Sequence, residues 1–125
     1  MKTLEFFTEQ MAAVWEKMGC SVFWYNLMLQ QASSSALVEF FKAHSSDEWY
    51  MFTFNFEGIA GEAGLYRDDG WNFWDWAGVK VVNVVVDHPL YYNKYIRKHP
   101  EKYIQFDIDE MHVAYMKRFF PGSTY

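Results

Sequence analysis

Apolar and polar residues follow several rhythms along the chain, and each rhythm predicts an element. Leu4, Phe7, Met11, Val14 and Met18 recur at helical spacing, with Glu5, Glu9, Glu16 and Lys17 mostly on other faces. This predicts an amphipathic helix that ends at Gly19, a suitable left-handed capping position. Residues 22–27 (VFWYNL) read as a buried strand. Ser33 to Ser35 cap or open a second helix whose inner face carries Ala36, Leu37, Phe40 and Phe41. A polar break from His44 to Asp47 follows. Residues 49–54 (WYMFTF) read as a second strand, ending at Asn55.

The pattern is most regular at residues 79–86 (VKVVNVVV), where nearly every position is β-branched. That density predicts a strand buried on both faces, as in a parallel sheet covered by helices. Asp87 and His88 follow the last valine, and then comes Pro89. Proline has a preset φ and no N–H to lose, so it suits a first helical turn. Tyr91, Tyr92, Tyr95 and Ile96 mark a helix that stops before Pro100. Residues 103–108 (YIQFDI) alternate in polarity, which predicts an edge strand with one solvated face. Asp109 is placed to cap a last helix with Met111, Ala114, Tyr115 and Phe119 in its apolar stripe.

Residues 55–70 are the least regular stretch, with Gly58, Gly61 and Gly64 at every third position. The spacing is not the dinucleotide pattern G-x-G-x-x-G. It reads as a flexible loop, or alternatively as a loop that closes over a ligand. Trp71, Phe73, Trp74 and Trp76 predict a helical turn beneath the sheet, ended by Gly78.

The element order predicts an α/β domain over residues 1–125. Its sheet is open, mostly parallel and Rossmann-like, with about four strands and helices on both faces. Doubly wound domains commonly open with a strand. Here a helix comes first: either an opening strand is missing, so that the chain reads as a fragment or half of a larger two-domain protein, or the strand at Val22 has taken the central place. Handedness and burial then place the strand at Val22 beside the strand at Val79. Unpaired backbone at that junction would favour a homodimer or a partner domain completing the sheet.

Composition narrows the partners. The chain has 125 residues, 51% hydrophobic and 22% aromatic, enough for a core and opposed to disorder. The formal charge is -5 and the basic residues form no block, which disfavours nucleic acid. The single Cys20 makes no intrachain disulfide and suits a reducing, cytoplasmic setting. No apolar run is long enough to span a bilayer, and the charged start does not read as a signal peptide.

In open parallel sheets, ligands bind beyond the carboxyl ends of the strands. Four such ends carry polar residues: Asn26; Asn55 with Glu57; Asp87 with His88; and Asp107 with Asp109. Asp87 and His88 are the candidate catalytic pair, as a general base or as hydrogen-bonding groups for substrate hydroxyls. A helix cap explains them equally well. Asp109 and His112 are three apart on one helical face. With Asp107 they suggest a metal, but capping by Asp109 is the stronger reading, so no metal and no cofactor are expected. Asn83, inside the valine strand, must find a hydrogen-bond partner if buried. Cys20 reads as a small buried apolar residue rather than a nucleophile. The acidic rim of Glu57, Asp87, Asp107 and Asp109 opposes a diphosphate and suits a sugar or other polyhydroxylated small molecule, with Tyr91 and Tyr92 available for stacking. A binding or interaction module is the alternative, and a metal-assisted hydrolase using Asp87, His88 and Asp109 comes third.

From Val81 to Pro121 the chain resembles the amino-terminal domain of bacterial glycosyltransferase-like proteins of the GT-B type. The matching residues are the Asp87-His88-Pro89 turn after a buried strand, then Asp109, His112, Val113, Tyr115, Arg118, Phe119 and Pro121. The resemblance implies a Rossmann-like half that holds acceptor groups, while a second domain holds the nucleotide-sugar donor. The strand ends and the rim, rather than the resemblance, make Asn55, Glu57, Tyr91, Tyr92, Asp107, Asp109 and His112 the candidate substrate-binding residues. An isolated acceptor half is expected to be inactive alone.

Overall fold

The computed structural model describes residues 2–122. The chain divides into two compact units, one ending at Ser45 and one beginning at Ser46.

In the first unit, helix α1 spans Lys2–Lys17 and ends where Gly19 takes φ 91°; Cys20, just beyond it, is exposed rather than buried as expected. Its apolar stripe is only partly covered: Ala12 is buried, while Phe7, Val14 and Met18 are exposed. Helix α2 spans Gln30–Ala43, beginning before the serines, so that Ser33 lies buried inside it. Residues 22–27 do not form the expected strand. Asn26 instead caps a 3-10 turn at Leu27–Leu29, its side chain accepting the Met28 N–H at 2.9 Å. The Asn26 N–H donates to Ser33 Oγ, and that hydroxyl donates back to the Asn26 carbonyl. The Tyr25 hydroxyl meets Ser34 Oγ at 2.7 Å. These local bonds satisfy groups that a strand would have to pair with a neighbour.

The second unit holds three parallel strands: β1 (Tyr50–Phe54), β2 (Lys80–Val85) and β3 (Tyr103–Asp107). Their spatial order is β1-β2-β3, so the valine strand is central and its neighbours are β1 and β3 rather than residues 22–27. The fold is thus the expected α/β open parallel sheet, with three strands in place of about four. Thr53, Asn83 and Gln105 align across it.

Both crossovers pass over the same face, as right-handed connections stepping in one direction require. In the first, Phe56 lies against Tyr103, and the Trp74 indole donates to the Gly58 carbonyl at 2.8 Å. In the second, His99 stacks on Tyr103 with ring centroids 4.4 Å apart. The expectation of helices on both faces is therefore met on one face within this unit. The other face stays partly open, with Ile104 44% and Phe106 53% exposed. The alternation in β3 is the reverse of the one expected: Tyr103 and Gln105 are buried and the apolar Ile104 and Phe106 point outward.

Residues 55–70 are a packed connection rather than a flexible loop. Phe56, Ile59 and Leu65 are almost fully buried. The Glu62 carboxylate accepts the Gly58 and Ala60 N–H groups, each at 2.8 Å. Gly58 has φ 82°, a left-handed conformation that favours glycine, and a Cβ there would lie 3.0 Å from Met51 Cε, so that flexible side chain would have to yield. Helix α3 (Phe73–Ala77) is capped by the Asn72 side chain and ended by Gly78 at φ 70°. After β2, a 3-10 turn (Pro89–Tyr92) runs into the short helix α4 (Asn93–Ile96). Helix α5 (Glu110–Phe119) begins at Asp109, whose side chain accepts the Met111 N–H at 2.7 Å. No helix among the described residues is long and apolar enough to cross a membrane.

Candidate functional site

The carboxyl ends of β1 and β2 are joined by side chains. Asn55 has φ 50° and Phe56 has φ 62°, two consecutive left-handed residues that turn the chain back over the sheet. Asparagine tolerates this conformation better than most residues. There the Asn55 carbonyl oxygen accepts the Val86 N–H at 2.9 Å, and its amide donates to Asp87 Oδ2 at 3.2 Å. The Tyr92 hydroxyl donates to the same oxygen at 3.2 Å. Asp87 is exposed, so this carboxylate is held at the surface by two neutral donors. Burial, followed by the Asp87 hydrogen bond and the charges of Asp87 and Glu57, pushes the Tyr92 phenol up to about 12. Tyr92 is thereby a neutral donor throughout the physiological range.

A second polar cluster starts inside the sheet. Asn83 Oδ1 accepts the Phe56 N–H, and Asn83 Nδ2 donates to the Tyr103 hydroxyl at 3.0 Å. That hydroxyl donates to Gln105 Oε1 at 2.8 Å, and Gln105 Nε2 donates to Asp107 Oδ1 at 3.0 Å. Asn83 and Gln105 are fully buried, so the relay satisfies amides that would otherwise destabilise the sheet. Burial raises the Asp107 carboxyl; the Gln105 hydrogen bond and nearby His112 oppose the rise. His88 then brings α5 to this end of the sheet. Its ring meets His112 edge-on at 4.9 Å and Tyr115 at 5.0 Å. Tyr115 donates to Asn93 Oδ1 at 2.9 Å.

The expected site residues therefore separate into groups. Asn55, Asp87 and Tyr92 meet directly, and the Glu57 charge acts on Tyr92. Asp107, His112 and His88 form the second cluster. Asp109 is engaged as the α5 cap. Tyr91 is 76% exposed and joins neither group. His88 serves as a cap: its Nδ1 accepts the Leu90 N–H at 3.0 Å, which fixes the proton of a neutral ring on Nε2. No group of three or more His, Cys, Asp or Glu side chains among the described residues is arranged to hold a metal ion.

Tyr103, Gln105, Asn93 and Tyr115 belong to the polar clusters but are absent from the candidates drawn from the sequence. The polar positions of β3 carried the signal for Gln105, read toward the wrong face. Nothing local distinguishes Tyr115 from the apolar stripe of its helix. No family model, no curated protein and no solved structure matches the chain.

Proposed function

We propose that the chain is the acceptor-side, Rossmann-like domain of a glycosyltransferase-like protein and binds a neutral polyhydroxylated ligand beside Asp87. One observation carries the reading. An exposed carboxylate at the end of the central parallel strand is positioned by the Asn55 amide and the Tyr92 hydroxyl, all three groups suited to sugar hydroxyls. Asp87 contacts the ligand in this reading, and His88 positions the turn that carries it. The acidic rim supports a neutral ligand over a diphosphate. The resemblance of the Asp87-His88-Pro89 turn and the α5 residues supports the transferase context, in which a second domain supplies the donor.

The test is NMR titration of the chain with methyl α-D-glucopyranoside, N-acetylglucosamine and uridine diphosphate. The sugars should shift the Asn55 and Tyr92 signals, and Asp87→Asn should abolish the response while the protein stays folded. Tight diphosphate binding at Asn55 and Asp87, or silence toward every sugar, overturns the reading. A second reading, a binding module that associates through the sheet, is favoured by the open apolar face at Ile104 and Phe106. Sedimentation that shows self-association, lost in Phe106→Lys, would support it.

A further inference from the structure

Three buried side-chain polar atoms among the described residues have no hydrogen-bond partner: Tyr66 Oη, Asp107 Oδ2 and His112 Nδ1. Two of the three belong to one cluster, at the carboxyl end of β3 and the first turn of α5. Two other carboxylates on this rim are engaged, Asp87 by Asn55 and Tyr92 and Asp109 by the Met111 N–H. The relay from Asn83 through Tyr103 and Gln105 fixes Asp107 by its Oδ1 and leaves Oδ2 unsatisfied at its far end. A buried acceptor and a buried ring nitrogen left unpaired are costly, and such atoms ordinarily meet an ordered water or a ligand. Asp107 also lines a depression of about 380 Å³ with Ile108, Asp109, Val113 and Lys117.

We infer that Asp107 and His112 form a hydroxyl-binding subsite. The ligand hydroxyl donates to Asp107 Oδ2 and accepts from His112 Nδ1–H, replacing a water that holds the place otherwise. The ligand class is a neutral polyol or sugar, so this subsite rests on the neutral-ligand reading above. The two clusters would then grip different hydroxyls of one molecule, with His88 between them: it follows Asp87 in the chain and its ring lies against His112. The Asn83–Tyr103–Gln105 relay acts as a positioning device, since it holds the acceptor without touching the ligand.

The probe is methyl α-D-glucopyranoside, followed by the imidazole nitrogen signals of His112 and the carboxyl carbon signal of Asp107. Both should move on binding, together with Asn55 and Tyr92. Asp107→Asn and His112→Phe should each weaken binding about tenfold, the effect of losing one hydrogen bond to a charged or buried polar group. Tyr103→Phe should weaken it less. If Asp107→Asn fails to fold, His112→Phe and the wild-type spectra still decide the matter. Movement of Asn55 and Tyr92 without Asp107 and His112 overturns the subsite alone. So does a through-bond coupling between His112 Nδ1 and the Asp107 carboxylate in the sugar-free protein. Silence at all four residues overturns both readings.

Discussion

The Asn55 amide donates to the Asp87 carboxylate at 3.2 Å across 32 residues of chain, and the same side chain accepts the backbone N–H of Val86. One residue thus closes the ends of two adjacent strands. It does so from a left-handed conformation that alanine adopts only with strain. Asn55→Ala should lose about 2–3 kcal/mol, from an unsatisfied Val86 N–H and a disfavoured φ. Chemical denaturation measures it. Asn55→Gly should restore part of the backbone cost and none of the hydrogen bonds. A loss below about 0.5 kcal/mol for Ala would mean that the tie is not stabilising.

The Tyr103 hydroxyl accepts from Asn83 and donates to Gln105, and both amides are fully buried. Tyr103→Phe removes one oxygen and strands two polar groups. The expected cost is about 2–4 kcal/mol, well above that of a surface tyrosine. The double change Tyr103→Phe with Asn83→Val should cost less than the sum of the single changes, because the second removes a group the first has stranded. Strict additivity in denaturation midpoints would show that the two residues do not interact.

The Tyr92 phenol is pushed up to about 12, first by burial and then by its bond to Asp87. The folded state holds this proton more firmly than the unfolded chain does. Its stabilising contribution is complete below about pH 10 and is lost as pH rises through about 12. Ultraviolet absorbance titration should show one late-ionising phenol fewer in Tyr92→Phe. In Asp87→Asn the Tyr92 ionisation should move down, because the neutral amide no longer opposes the phenolate.

Burial raises the Asp107 carboxyl above its ordinary 3.8. The neutral acid is favoured on folding, so its contribution is complete below the ordinary carboxylate value and is lost as pH rises through the folded value. Asp107→Asn keeps an acceptor for Gln105 and removes the charge. The variant should melt higher than wild type at neutral pH, and the difference should vanish toward pH 3–4. A gap in melting temperature that widens as pH falls would show that Asp107 is instead held as a stabilised anion.

The valine run, the Gly78 stop and the Asp109 cap were legible because each is set by its own residues. Residues 22–27 were not. Their β-branched and aromatic composition suits a strand, but Asn26, Ser33 and Tyr25 offer local hydrogen bonds that composition does not weigh. β3 misled in a different way. Alternation reveals two faces, and polarity ordinarily tells which is wet, yet Gln105 is buried because Tyr103 and Asp107 supply its partners. The position of Asp87 just beyond the end of the central strand was readable from the valine run that precedes it. The Asn83 relay was not, because it depends on which strands lie side by side.

Asn83 has a consequence for how the sheet finds its alignment. In the run Val81, Val82, Asn83, Val84, Val85, Val86, a shift along the strand would exchange one valine for another at little packing cost. Residue 83 alone breaks that sameness. A displaced strand would carry its amide away from the Phe56 N–H and the Tyr103 hydroxyl, and a shift by one would turn it to the opposite face. Five valines supply adhesion without position, and the single asparagine is the mark from which the strand measures its place.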